Sequence, residues 1–237
     1  MKILALESSA TACSVALCED EKLIAQSFQN NGLTHSRTLM PMAEALLANC
    51  GTALADVDVI AVAAGPGSFT GLRIGVATAK GLAWPGDKPC AACSTLESMA
   101  WTLAHTGMEI CAAMDARRSQ VYNARFLGTG TGLVRLCPDR ALSLSELGEE
   151  LKKSGKPQIL VGDGAVLCYT TLREQGPELI LPPPHLHFQS AWGVARCALE
   201  QARGGKLTTA AELAPVYHRL SQAERERLAK TGAASKE

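Results

Sequence analysis

The chain has 237 residues, 47% of them hydrophobic, and its 23 basic and 23 acidic side chains cancel. Such a length fits one or two domains, and a neutral balance is unfavourable for a protein that grips nucleic acid by itself, because phosphate contacts need a basic surplus. The N-terminal run MKILAL lacks a signal-peptide pattern, no apolar stretch approaches the roughly 20 residues of a membrane helix, and the nine cysteines are scattered in apolar runs. We expect a cytoplasmic globular protein with no membrane contact.

The first half of the chain alternates strand and helix patterns. Strands are predicted at 3–7, 12–18, 22–28 and 57–64, and helices at 34–49 and from the glycine-rich turn that follows to about Trp84. Polar turns between the first three strands indicate an antiparallel meander, while the continuous apolar run 57–64 is typical of a strand covered on both faces. A meander that feeds helix–strand–helix units predicts a mixed sheet flanked by helices.

The pattern then repeats in the second half. A hairpin at 109–117 and 121–126 is followed by a helix at 145–153, a strand at 158–161 and an amphipathic helix at 189–203. This repetition predicts a second lobe that resembles the first, with a boundary near Gly107. The expected lobes are residues 1–106 and a smaller lobe 107–237, with a flexible tail from about residue 221.

The segment 65–75, GPGSFTGLRIG, is the most distinctive in the chain. A glycine-rich junction between a strand and a helix can hold a phosphate with backbone N–H groups, form a turn with positive φ, or allow close packing. The segment has neither the Gly-Lys-Ser/Thr ending of a P-loop nor the G-x-G-x-x-G of a dinucleotide site. We therefore favour close approach of another helix to Gly71, Gly75 and Ala79, which are spaced by four.

Three other polar patterns have structural interpretations that we prefer. The turn ESS at 7–9 could hold a nucleotide phosphate and a metal-bound water, but its composition is that of an ordinary hairpin turn. His35 has no supporting acid nearby in sequence, which favours hydrogen bonding over a role as a catalytic base. Cys90 and Cys93 have zinc-ligand spacing without a second pair.

Six segments carry a resemblance to a known family: ILALESS…ACSVAL, THSRTLMPMAEALL, AVAAGPGSFTGLRIGVATAKGLAW, AAMDARRSQVYNARF, LVGDGA and APVYHR. Together they resemble the bacterial tRNA threonylcarbamoyladenosine biosynthesis family TsaB, also called YeaZ. The resemblance spans nearly the whole chain.

The resemblance implies an α/β, actin/hexokinase-like (ASKHA) fold with two lobes, mixed sheets flanked by helices, and a reduced second lobe. It implies that the protein is a non-catalytic scaffold or activator of the reaction that adds a threonylcarbamoyl group to the adenosine beside the anticodon of tRNAs. The partner would be a larger paralogue, TsaD, which carries the transferase site, and a small ATPase, TsaE, would join them. The resemblance also implies that the wider complex uses ATP and magnesium. The chain itself is expected to bind no cofactor tightly, to contact tRNA only within the complex, and to form a homodimer when alone.

The comparison with TsaD implies that two chemical features are missing. Thr95 and Met99 stand where the paralogue has the histidines of a metal motif, and neither is a good ligand for a divalent metal. Ala116 and Arg117 stand where its phosphate-binding turn has two glycines. The family usually has aspartate and threonine where this chain has Glu7 and Ser8. Remnants of the nucleotide-binding hairpins are expected at Glu7, Ser8, Ser9 and Asp115.

The resemblance also implies pairing through the helices at 34–49 and 69–84. The expected contact residues are Leu39, Ala43, Leu46, Leu72, Gly75, Val76 and Ala79.

Three other functions stay open from sequence. An ATP-dependent phosphotransferase of the sugar/acetate-kinase superfamily would bind ATP between Glu7 and Asp115. A metal-dependent peptidase would need a histidine pair. A tRNA-binding module would use a basic cluster of Arg117, Arg118, Arg125, Arg135 and Arg140.

Overall fold

A computed structural model describes residues 1–175 and 178–218. The strands are β1 Lys2–Glu7, β2 Cys13–Glu19, β3 Lys22–Gln29, β4 Val59–Gly65, β5 Cys90–Ser94, β6 Glu109–Asp115, β7 Gln120–Gly128, β8 Leu133–Arg135, β9 Arg140–Ser143, β10 Gln158–Val161 and β11 Leu179–Ile180. The α-helices are α1 His35–Asn49, α2 Phe69–Ala83, α3 Thr95–Trp101, α4 Leu144–Ser154, α5 Ala165–Leu172 and α6 Ala191–Arg203.

The first sheet has the strand order β3-β2-β1-β4-β5, antiparallel through the meander and parallel from β1 to β5. Successive side chains of β1 point to opposite faces of this sheet, as the pleat of a strand requires. Leu4 and Leu6 pack with α1 and α2, whereas Ile3 and Ala5 pack with α6. The central strands are therefore buried on both faces, which explains their continuous apolar runs.

The second sheet has the order β11-β10-β6-β7-β8, and β9 pairs with β7. Helix α3 lies between the two sheets, because Leu96 and Met99 pack in the same apolar cluster as Ile110 of β6. Helices α4 and α5 cover the other face through Leu147 and Leu172. The layers are α1 and α2, the first sheet, α6 with α3, the second sheet, and finally α4 and α5. The predicted α/β class, with mixed sheets flanked by helices, is confirmed.

The structure contains elements that the sequence patterns did not predict. Strand β5 and helix α3 are only 5 and 7 residues long, too short for a clear period. Helix α5, with the sequence AVLCYTTL, is apolar around most of its surface and starts directly after the loop Gly162-Asp163-Gly164. The sequence patterns indicated a loop at 162–165 and gave no prediction for 166–172. Pro41 lies inside α1 and is exposed.

The chain returns to the first lobe after it has built the second sheet. Helix α6 packs on the first sheet, where Val194 and Leu199 contribute to the buried cluster around Ala5. Thr208 then pairs with Cys90 of β5 in an antiparallel bridge. The division at residues 106 and 107 stays a prediction, and part of the segment 107–237 completes the core of the first lobe.

Within the described residues, no helix is long and apolar enough to cross a membrane. The predicted tail from about residue 221 lies outside the described residues.

Candidate functional site

The outward surface of α1 and α2, here called the helix face, belongs to the two helices that the resemblance links to partner binding. The residues predicted to contact a partner do not lie on it. All seven are buried: Leu39, Ala43, Leu46, Leu72, Gly75, Val76 and Ala79. Most of their side chains belong to the apolar cluster between these helices and the first sheet. The periodicity of α1 and α2 did identify an apolar stripe, but that stripe forms the protein's own core. The helix face consists instead of the exposed positions that lie between these buried residues in α1 and α2.

The helix face carries small and apolar residues beside polar ones such as Arg37, Glu44 and Arg73. On α1, Met40, Ala45 and Ala48 are exposed, and on α2 Ala77 and Gly81 are exposed. At the end of α2, Trp84 is 69% exposed, the highest value among the large apolar side chains of the described residues. An exposed apolar patch of this kind commonly marks a surface that binds another protein.

The glycines of α2 pack against the β1–β2 turn and not against another helix. A Cβ on Gly71 would overlap the carbonyl oxygen of Ser8, and one on Gly75 would lie 2.5 Å from Ser8 Oγ. Ser8 Oγ donates a hydrogen bond to the carbonyl oxygen of Gly71 at 2.9 Å. Close packing was correctly predicted at these two glycines, but the predicted neighbour was another helix. The element that approaches them is the turn at 7–9.

Glu7 lies at the end of β1 with its carboxyl group completely buried. Its Oε1 accepts a hydrogen bond from the N–H of Ser9 at 2.6 Å, and its Oε2 has no partner in the part of the chain that the structure describes. Burial raises the pKa of Glu7 to about 7, and the negative charge of Asp163 adds to that increase. A carboxyl that is still partly protonated near neutral pH is a weak ligand for a cation, since ligands must be deprotonated.

Asp163 lies near enough to Glu7 to affect its pKa, and it was not predicted as a site residue. It follows β10 in the loop before α5, and Gln189 donates a hydrogen bond from Nε2 to its Oδ1 at 3.1 Å. Burial raises the pKa of Asp163 to about 6, with a further contribution from Asp115. We name Glu7, Asp115, Asp163 and Gln189 the cleft cluster. The run LVGDGA at the end of a strand was the signal that could have identified Asp163.

The β6–β7 turn has an unusual backbone. Arg117, Arg118 and Ser119 have φ values of 62°, 56° and 56°, in the left-handed region that favours glycine. Asp115 Oδ1 accepts a hydrogen bond from the N–H of Arg117 at 2.7 Å, and the N–H of Leu144 donates to the carbonyl oxygen of Ser119 at 3.1 Å. The exposed side chains of Arg117 and Arg118 border a cavity of about 570 Å³.

The predicted basic cluster is mostly neutralised within the chain. Arg125 pairs with Glu109 at 2.6 Å, Arg135 with Glu97 at 2.6 Å and with Asp139 at 2.5 Å, and Arg140 with Glu150 at 2.5 Å. Only Arg117 and Arg118 of that cluster have no acidic partner among residues 1–175 and 178–218. Two exposed arginines give a much smaller electrostatic contribution to tRNA binding than five would.

The positions predicted to lack metal ligands lie in the core. Thr95 and Met99 are completely buried in α3, and the Met99 side chain packs with the second sheet. Cys90 and Cys93 are buried on opposite faces of the first sheet, so they cannot share one metal ion. His35 Nε2 lies 2.6 Å from the carbonyl oxygen of Ala10, which confirms the predicted hydrogen-bonding role. In residues 1–175 and 178–218, no three His, Cys, Asp or Glu side chains form a group able to hold a metal.

Comparisons with known proteins agree along the length of the chain. The family model described as "TsaD: tRNA N6-adenosine threonylcarbamoyltransferase" matches residues 24–166. The chain is 36% identical to the tRNA threonylcarbamoyladenosine biosynthesis protein TsaB of Bacillus subtilis, over 94% of this chain and 96% of that protein. It is 31% identical to TsaB of Escherichia coli, over 92% of this chain and 95% of that protein.

Among solved structures, the fold is similar to a Pseudomonas aeruginosa protein described as having similarity to peptidase YEAZ. The TM-score is 0.80 at 28% identity, and the match covers 92% of this chain and 99% of that one. Sequence and fold thus agree on the relationship, and the chain belongs to the TsaB family of tRNA threonylcarbamoyladenosine biosynthesis proteins.

Proposed function

We propose that this protein acts in the formation of threonylcarbamoyladenosine on tRNA, as a non-catalytic partner of the transferase paralogue TsaD. The observation that carries the proposal is the match to TsaB of Bacillus subtilis, at 36% identity over 94% of this chain and 96% of that protein. The match of the transferase family model to residues 24–166 supports a common fold for the two partners.

The helix face supports pairing as the mode of action. It carries exposed small and apolar residues on two adjacent helices, and small residues allow the close approach that helix–helix packing needs. The partner-binding residues in this proposal are Met40, Ala45, Ala77 and Trp84. The buried residues predicted from sequence hold these helices on the sheet beneath.

The residue types at three places in the chain support a non-catalytic role. Thr95 and Met99 offer no imidazole, and the β6–β7 turn carries side chains at Ala116 and Arg117 where a phosphate cradle needs glycines. A phosphotransferase would need ATP held between the two lobes, and Glu7 and Asp163 place buried carboxyls with raised pKa values there. We therefore propose that ATP and magnesium act elsewhere in the complex.

The proposal is tested by the substitution Ala77→Arg on the exposed side of α2. We expect its affinity for TsaD from the same organism to fall at least about tenfold, because a charged side chain must then be desolvated at the interface. Calorimetry of the two purified proteins measures this. The matched control is Val166→Arg, at an exposed position of α5 in the second lobe.

The control should bind as the parent chain does, and both variants should unfold at the parent temperature. Equal affinity of Ala77→Arg and the parent for TsaD would refute the helix face as the binding surface. We propose further that two copies associate through the same face when TsaD is absent, so Ala77→Arg should be monomeric in sedimentation experiments. TsaE as a third component and contact with tRNA only inside the complex rest on the family resemblance.

A further inference from the structure

The segment that follows α6 runs beside α2 and is held at several points. Thr208 and Cys90 exchange two backbone hydrogen bonds of 2.8 Å. Leu213 is buried in the cluster beneath α1 and α2, and Lys80 Nζ donates a hydrogen bond to the carbonyl oxygen of Ala211 at 3.1 Å. We name residues 208–217 the C-terminal strap. Its buried and hydrogen-bonded residues fix its path along the helix.

The strap reaches the start of α2 at Val216. The N–H of Val216 donates to the carbonyl oxygen of Ala64 at 2.7 Å, at the end of β4. Gly65 is in direct contact with the strap, because a Cβ at this position would overlap the carbonyl oxygen of Val216. Its φ of 140° is also a conformation that other residues rarely adopt. The glycine-rich segment therefore packs against the β1–β2 turn through Gly71 and Gly75 and against the strap through Gly65.

Tyr217 then covers the first turns of α2. Its ring stacks on Phe69 with the centroids 4.5 Å apart and an angle of 11° between the ring planes. Its hydroxyl oxygen accepts a hydrogen bond from Arg73 Nε at 3.0 Å. Phe69 and Arg73 are four residues apart, so they lie on the same side of the helix. Tyr217 remains 41% exposed and Val216 49% exposed, which extends the apolar surface of the helix face to the strap.

From these contacts we infer that Tyr217 is a partner-binding and positioning residue: it contributes its ring to the interface and fixes Phe69 and Arg73 in their binding conformations. This inference rests on the proposed pairing with the transferase paralogue. The complementary surface of the partner is apolar opposite Tyr217 and Val216. Tyrosine and arginine, with tryptophan, are enriched at energetically dominant positions of interfaces, and a rigid ring loses little conformational entropy on binding.

The experiment compares the affinity of full-length variants for the paralogue by calorimetry. Tyr217→Ala removes the ring and the hydrogen-bond acceptor, and we expect at least about tenfold weaker binding. Tyr217→Phe keeps the stack on Phe69 and removes only the acceptor, and we expect about two- to fivefold weaker binding. Tyr169→Ala is the matched control, because Arg173 lies over its ring at 5.6 Å on a helix of the second lobe. It should bind as the parent does.

A double-mutant cycle separates positioning from simple stabilisation. If Tyr217 acts through Arg73, the variant carrying both Tyr217→Phe and Arg73→Lys should bind no more weakly than Arg73→Lys alone. Thermal unfolding shows whether Tyr217→Ala folds, and the Phe variant carries the test if it does not. Parent-like affinity of both Tyr217 variants, or strict additivity in the cycle, would overturn the inference while the proposed function stands. Failure of the parent chain to bind the paralogue would overturn both.

Discussion

Glu7 has a buried carboxyl in a place where the protein supplies little compensation for a negative charge. One carboxylate oxygen accepts a hydrogen bond from the N–H of Ser9, and Asp163 brings a second negative charge into the neighbourhood. The folded state therefore favours the protonated form, and the pKa of Glu7 rises from 4.5 to about 7.

This raised pKa predicts a pH-dependent stability. Between pH 4.5 and 7 the unfolded chain releases the Glu7 proton while the folded chain retains it, so the free energy of unfolding falls as the pH rises through this range. The loss attributable to Glu7 is about 3 kcal/mol and is complete about one pH unit above the pKa of the folded state. Glu7→Gln should remove it, so the variant should gain stability relative to the parent between pH 5 and 8.

Urea unfolding of both proteins across this pH range measures the difference. The exposed Glu149 provides the control, and Glu149→Gln should keep a constant offset from the parent. A constant offset for Glu7→Gln as well would show that the Glu7 carboxyl is ionised in the folded protein at the lower pH. Asp163, whose pKa is raised to about 6 by burial, continues to titrate in each of these proteins.

The sequence located several polar residues of the site correctly, but it did not predict how deeply they are buried or what they contact. Glu7, Ser8 and Ser9 were located as a polar turn, and the structure places all three in the interior. Asp163 was missed, because its contact with Gln189 joins residues 26 positions apart, and no local pattern reports such a contact. The predicted role of Glu7, Ser8, Ser9 and Asp115 as remnants of a nucleotide site stays a prediction.

Helix α2 is the element whose packing depends most on residue size. Gly71 lies so close to the carbonyl oxygen of Ser8 that a methyl group can be accommodated only if the backbone moves. Gly81, near the other end of the same helix, is exposed and has open space where a Cβ would be. The two positions therefore respond in opposite ways to the same substitution.

We expect Gly71→Ala to lower the free energy of unfolding by about 1–3 kcal/mol, as overpacking does. Gly81→Ala should raise it by about 0.5–1 kcal/mol, because alanine loses less backbone entropy than glycine in a helix. Chemical unfolding of the two variants and the parent measures these differences in the free energy of unfolding. If both substitutions stabilised the protein, the close contact between α2 and the β1–β2 turn would be disproved.

The elements that the sequence predicted well have a periodic pattern over enough residues, or have turn residues that mark their ends. The predicted strands 3–7 and 22–28 and the predicted helix 34–49 agree with β1, β3 and α1 to within one residue at each end. The approach of the β1–β2 turn to α2 could not be predicted, because a glycine pattern shows that space is needed and not which element fills it. The same limit explains why the buried stripe of α1 and α2 was expected at a partner interface.

For the whole molecule, the sequence predicted the fold class through the resemblance and a repeated strand–helix pattern. It did not predict that α6 and the C-terminal strap complete the first lobe, because their partners on β5 and α2 lie more than 100 residues earlier in the chain. Such long-range packing depends on the three-dimensional arrangement of both sheets. The packing bears on the proposed pairing, since the strap forms one border of the helix face.

The central claim is that this chain is required for threonylcarbamoyl transfer and does not perform the transfer. The most direct measurement is the incorporation of labelled threonylcarbamoyl into tRNA in a reaction containing TsaD, TsaE, ATP, magnesium and the threonylcarbamoyl donor, with and without this chain. We predict incorporation only when the chain and TsaD are both present, and strongly reduced incorporation with Ala77→Arg. Incorporation by the chain in the absence of TsaD, or an undiminished rate when the chain is omitted, would contradict the claim.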